Sequence, residues 1–207
     1  MKHKIHIGKN TVINAKPRPL SGYIREKETA GRLKYGKNVW IGSGCVISTC
    51  ITLGNNVIIS DGTYIEDNVT IDSDSILVYK CLVCADTKIG KNCVIGGFIG
   101  ENTIIKNNCR IFGEIVHKHL DPSKNWDAPD SAEKGPVIFD NVFIGFGAKI
   151  TKPVEIGSNS YILPNSIVSK DIPPFHIARG INEIFYYKEW KGGLSKSNFF
   201  NKEAGFV

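Results

Sequence analysis

An aliphatic residue recurs at every sixth position over long stretches of this chain, and that period restricts the possible folds more than any other feature. Cut from Tyr35, the sequence reads YGKNVW, IGSGCV, ISTCIT, LGNNVI, ISDGTY, IEDNVT, IDSDSI, LVYKCL, VCADTK, IGKNCV. The lead residues are Tyr35, Ile41, Ile47, Leu53, Ile59, Ile65, Ile71, Leu77, Val83, Ile89 and Ile95. A four-residue step after Ile95 moves the phase to Ile99, Ile105 and Ile111. After an irregular stretch the period returns at Ile138, Ile144, Ile150, Ile156, Ile162 and Val168. One earlier unit stands at Ile7 and Ile13.

The fifth place of each unit is as regular. It holds small or β-branched residues, among them Val39, Cys45, Val57, Thr63, Val69, Ser75, Cys81, Thr87, Cys93, Cys109 and Ala148. A period of six belongs neither to an amphipathic helix nor to a simple alternating strand. It suits short strands joined by corners, in which one large and one small side chain per unit point inward. Gly, Asn and Asp at the second to fourth places supply corner conformations that other residues reach only with strain. One unit cannot bury its own apolar side; stacked units can. The expectation is an all-β parallel β-helix of about seven coils at three hexads each.

Two breaks interrupt the pattern. Residues 15–34 carry charges and no period, and residues 117–137 are polar with Pro122, Pro129 and Pro136. The expected organisation is one β-helix domain, residues 1–173 with loops 15–34 and 117–137, followed by a tail, residues 174–207. Ile184, Phe185, Tyr186, Tyr187 and Trp190 of that tail need a surface to pack on.

Lys and Arg number 26 against 20 Asp and Glu, a formal net charge of +6. That excess suits an anionic small molecule or glycan, but no basic stripe with interleaved aromatics argues for nucleic acid. No run reaches the ~20 apolar residues of a membrane span. The first residues, Met-Lys-His-Lys-Ile-His, lack the apolar core of a secretory signal, so the expected location is cytoplasmic. Of the six cysteines, Cys45, Cys81, Cys93 and Cys109 fall at the small inward place. The Cys81-x-x-Cys84 pair has no second pair or spaced His to complete a zinc site, and no metal is expected.

Histidine is the natural base for acyl transfer near neutral pH. The chain has His3, His6, His117, His119 and His176. His117 and His119 open the second break, directly after a segment read as the hexad IFGEIV. With the closing run Ile162-Leu163-Pro164-Asn165-Ser166-Ile167-Val168-Ser169-Lys170-Asp171-Ile172-Pro173-Pro174 and the segment Ile138-Phe139-Asp140-Asn141-Val142-Phe143-Ile144-Gly145, this layout resembles the hexapeptide-repeat acyltransferases. That family includes galactoside, maltose and xenobiotic acetyltransferases and polysaccharide O-acetyltransferases. The resemblance spans roughly residues 35–182.

The resemblance implies a left-handed β-helix, a homotrimer, and acetyl-CoA as acyl donor. It implies His117 as catalytic base with His119 as the alternative, and Glu114 or Asp121 as an orienting partner. It places the donor along Gly145, Phe146, Pro164, Ser169 and Lys170, with Lys170 and Arg179 near the phosphates. Leu163-Pro164-Asn165 replaces the family's usual Gly-Ala-Gly, and Gly180-Ile181-Asn182 its Gly-x-Pro. The implied activity is acetyl transfer to a hydroxyl of a sugar or glycan. Alternatives are N-acetylation of a nucleotide-linked amino sugar, a zinc hydratase of the carbonic anhydrase type (which needs three His ligands on adjacent coils), or a scaffold without catalysis.

Overall fold

The computed structural model describes residues 4–15, 31–78, 80–116 and 134–200. Lead residues from Ile41 to Val168 are buried, nearly all at 0% exposure, and so are all the small fifth-place residues from Val39 to Ser166. The apolar residues among them form one continuous core. The exception is Tyr35, at 38% exposure on the first coil, where few neighbours lie beyond it.

The two-residue strands stack into three parallel sheets, one per side of the solenoid. Face A has ten strands, from Ile5–Ile7 to Glu183–Tyr186. Face B has eight, from Val12–Ile13 to Ile167–Val168, and face C seven, from Lys34–Tyr35 to Glu155–Ile156. The register advances one coil at a time, as in Ile58 beside Ile76 and Ile76 beside Val94. Backbone bonds therefore run from coil to coil, for example Trp40 N–H to Val57 O at 2.9 Å. This is the parallel β-helix of about seven turns expected from the period, left-handed as the resemblance implies. No helix among the described residues is long and apolar enough to cross a membrane.

The corners explain the polar places of the hexad. The fourth residue has positive φ at Asn38, Asn56, Asn68, Asp74, Asn92, Asn108, Asn141 and Asn159, the left-handed region that Asn and Asp tolerate better than most side chains. Along the C–A corner these side chains bond to one another. Asn38 Nδ2 donates to Asn56 Oδ1 at 3.1 Å, and Asn56 Nδ2 to Asp74 Oδ1 at 2.8 Å.

The segment read as the hexad IFGEIV is a correction. A second four-residue step follows Ile111, so that Glu114–Ile115 is a strand and Ile115, fully buried, is itself a lead residue. It pairs with Ile99 below and Ile150 above. Residue 117 is thus not in phase to be the next lead. Both short steps lie at the A–B corner, where a Cβ on Gly97 would sit 2.3 Å from Gly113 O. Two shortened corners nest there, and neither leaves room for a side chain.

The two breaks are narrower than the sequence suggests. Ala15 N–H donates to Ile47 O and Lys34 N–H to Ile51 O, while Ile104 N–H donates to Pro136 O. Lys34–Tyr35 and Val137–Ile138 are strands of face C. Both segments leave face B and return to face C, at the same corner of the prism. The tail has its own structure. His176–Arg179 extends face A in parallel, and Glu183–Tyr186 turns back antiparallel to it. Ile184 packs on the core, Tyr187 stacks on Phe200 at 4.8 Å, and Phe199 meets Tyr161 edge-on at 5.1 Å.

Candidate active site

His117 and His119 lie outside the described residues, as do Asp121 and the rest of 117–133. The point from which that segment departs is well placed. Val116 N–H donates to Ile150 O, and Thr151 N–H donates to Val168 O at 2.9 Å. Val116, Thr151 and Ser169 therefore stack on three successive coils at the B–C corner. Ser169 is fixed by a reciprocal pair: its N–H donates to Asn182 Oδ1 at 2.8 Å, and Asn182 Nδ2 donates to its Oγ at 2.9 Å. Lys170 follows, exposed.

The other expected donor contacts lie across face B, at the A–B corner. Gly145 N–H donates to Ile162 O, and Asn165 N–H donates to Phe146 O, so Gly145-Phe146 and Pro164 occupy one corner on consecutive coils. Gly145 is required there: a Cβ would stand 2.6 Å from Pro164 N. Phe146 projects with 79% exposure. Arg179 sits one coil further on, since Leu163 N–H donates to Ala178 O. Its Nε donates to Glu183 Oε2 at 2.9 Å, and the guanidinium lies over the rings of Phe185 and Trp190. That places Arg179 inside the hairpin.

The six expected donor residues thus divide between two corners, Ser169 and Lys170 at the departure of the His segment, the others one face away. Face B between them carries Glu114, Lys149 and Ile167 in register. Lys149 Nζ is 3.1 Å from Glu114 Oε2, with both side chains half exposed. Sequence reasoning had offered Glu114 as an imidazole partner and passed over Lys149. The outward place before each lead residue was the signal, because it stacks Lys149 on Glu114 once the second short step is recognised.

The remaining reactive groups are accounted for by the fold. Cys81 points inward and Cys84 lies past the next strand, on either side of Leu82–Val83, so the C-x-x-C spacing does not bring them to one face. None of the six cysteines is in a disulfide. Burial pushes the Cys81 thiol up to about 12. The Cys93 and Cys109 thiols influence each other, which draws Cys93 down and Cys109 up, and each Sγ donates to a backbone carbonyl, Cys93 to Lys106 O and Cys109 to Phe139 O, both at 3.1 Å. His6 stacks on Trp40 at the first coils, while His176 Nδ1 lies 2.8 Å from Pro174 O at the last. Among the described residues no three His, Cys, Asp or Glu side chains are grouped as a metal site.

The bacterial transferase hexapeptide family, described by six repeats, matches residues 36–66 and 135–170. The chain carries the hexapeptide repeat of the bacterial transferases. Over 152 residues it is 31% identical to the bifunctional protein GlmU of Wigglesworthia glossinidia brevipalpis, covering 69% of this chain and 32% of that one. It is 29% identical over 186 residues to GlmU of Thermotoga petrophila, covering 86% and 39%. The chain therefore spans well under half the length of these relatives. Among solved structures it is similar to a variant of AntD, an N-acyltransferase from Bacillus cereus, in complex with dTDP-4-amino-4,6-dideoxyglucose and coenzyme A (22% identity, TM-score 0.43, 83% of this chain and 91% of that one). It is also similar to the polysialic acid O-acetyltransferase OatWY (20% identity, TM-score 0.31, 85% and 84%).

Proposed function

We propose that the chain is an acyltransferase that moves an acetyl group from acetyl-CoA to a hydroxyl of a sugar or glycan, with His117 or His119 as general base. The observation that supports this most is positional. In a chain with the transferase hexapeptide repeat, the segment that opens with His117-x-His119 departs from the corner where Ser169 and Lys170 stack.

In this reading the imidazole accepts the acceptor proton as the oxygen attacks the thioester carbonyl. Collapse of the tetrahedral intermediate breaks the C–S bond, and the leaving thiolate takes the proton back from the imidazolium. Acetyl ester and free CoA result, with the base regenerated. The pantetheine arm runs from the A–B corner at Gly145, Phe146 and Pro164 across face B toward Ser169 and Lys170. Arg179, held by Glu183 and two rings, fixes the hairpin that forms this end of the groove.

Self-association as a homotrimer belongs to the same proposal. On the coils before the His segment, the outward residues of face A (Trp40, Ile58, Ile76, Val94) and of face B (Val46, Tyr64, Leu82, Phe98) are apolar or aromatic, while face C presents Thr52, Thr70 and Lys88 there. Apolar surface on two adjoining faces favours burial against copies of the chain. The proposed compartment is the cytoplasm. The test is acetyl-CoA consumption against free sugars, glycan oligomers and nucleotide-linked amino sugars. Ester formation on a sugar or glycan is expected; acetylation of nitrogen alone would replace the hydroxyl acceptor, and no consumption with any acceptor would reject the proposal.

A further inference from the structure

We propose that Lys134, Lys152 and Lys170 form a phosphate-binding column at the B–C corner, on the C-terminal side of the His segment. The stacking follows from register. Ile138 pairs with Ile156, which sets Lys134 level with Lys152, each four residues earlier. Ile150 pairs with Val168, which sets Lys152 level with Lys170, each two residues later. Three ammonium groups thus rise from one corner on consecutive coils, at a coil spacing of ~4.8 Å. All three side chains are exposed.

Among the described residues none of the three has a carboxylate partner, unlike Lys149, which pairs with Glu114, and Arg179, which pairs with Glu183. The adjacent Asp171 turns its Oδ1 to Glu155 N–H at 2.8 Å instead. Like charges repeated at this spacing repel one another, and an anion seated along them removes that repulsion. The composition of the same corner differs across the His segment: on the C-terminal side, residues 151–153 and 169–171 hold Lys152 and Lys170 with one acid, Asp171. On the N-terminal side its residues 48–50, 66–68, 84–86 and 100–102 include Glu66, Asp67, Asp86 and Glu101 and no Lys or Arg. The bases of this corner thus stand on the C-terminal side of the His segment, and a polyanion laid along the corner seats there.

The ligand chemistry is two or more linked phosphates. They are carried by the donor nucleotide or by a nucleotide-linked acceptor, and only that assignment to a substrate rests on the acyl-transfer reading. The test measures binding of inorganic pyrophosphate, CoA and a nucleoside diphosphate sugar to the full chain and to the triple variant Lys134→Gln, Lys152→Gln, Lys170→Gln, by calorimetry at low salt. Each single change should weaken pyrophosphate binding about two- to fivefold, and the triple change at least about tenfold, with a shallower salt dependence. Lys88→Gln, on face C, is the charge control and should change nothing. Circular dichroism melting should be the same in all variants.

Loss of CoA binding in the triple variant assigns the column to the donor, and loss of nucleotide-sugar binding alone assigns it to the acceptor. Pyrophosphate that binds the unaltered chain and the triple variant equally, or binds neither, overturns the column. Lysine-dependent pyrophosphate binding by a chain that does not bind CoA at all would leave the column standing and reject the acyl-CoA reading.

Discussion

Replacing Gly145 by Ala tests how tightly the candidate donor corner is built. The added Cβ would lie 2.6 Å from Pro164 N, 2.8 Å from its Cδ and 2.9 Å from its Cα. All three atoms belong to the backbone or ring of a proline, whose φ is fixed, so no side chain can swing aside. Relief requires the two coils to part by nearly an ångström, which stretches the 2.9 Å bond from Gly145 N–H to Ile162 O. Overpacking of this kind costs about 1–3 kcal/mol, and a weakened backbone bond adds up to about 1 kcal/mol. For a chain of this size about 2 kcal/mol lowers Tm by roughly 4–8 °C. Gly44→Ala is the control: its φ is +66° with nothing within 4 Å of the new Cβ, so it bears only the left-handed backbone cost of about 1–2 kcal/mol. Urea unfolding followed by circular dichroism gives both values. Gly145→Ala should also raise KM for the donor, whereas Gly44→Ala should not. A Gly145→Ala variant at full stability would show that the corner is looser than these contacts imply.

Three further outcomes follow from single buried groups. Ser166 Oγ is buried without a hydrogen-bond partner, so Ser166→Ala should stabilise the chain by about 1 kcal/mol, and a loss of stability in urea titration would contradict that. Ile115→Ala should cost about 2–5 kcal/mol as a buried residue, against under about 1 kcal/mol for the half-exposed Glu114→Ala; comparable costs would contradict the inward placing of Ile115. Burial raises the Cys81 thiol to about 12 from an ordinary value near 9, so the unfolded chain loses that proton first as pH rises. The linked stability is whole below about pH 9 and falls between pH 9 and 12. Cys81→Val should flatten the fall, and an unchanged slope would assign it elsewhere.

The solenoid was legible because its determinants are local and repeated. Each coil repeats the demand for a large residue at the lead and a small one at the fifth place, so every buried Ile and Cys of the period confirms the others. The second short step escaped notice because Ile115 fits either phase: as the fifth residue of IFGEIV it reads as small-place β-branched, and only pairing with Ile99 and Ile150 makes it a lead. The tail was legible as apolar but not as a hairpin, since nothing periodic marks the return of Glu183–Tyr186 on His176–Arg179. For the site, sequence order put Gly145, Pro164 and Lys170 in one line along a groove, whereas stacking assigns them to two corners. Lys134 and Lys152 were invisible for the converse reason. They are distant in sequence from Lys170 and become neighbours only through the coil register.

The central claim, acyl transfer by a His base on the segment that leaves the B–C corner, is tested most directly by turnover of the separate variants His117→Ala and His119→Ala with acetyl-CoA and the acceptor found by screening. The base variant should lose about 10²–10⁴-fold in kcat while its affinity for CoA, its circular dichroism and its assembly mass stay unchanged. His117 is the expected base. If His119→Ala alone loses turnover, the chemistry holds with the neighbouring histidine in the role. If both variants keep near-full turnover, the chain does not use this mechanism.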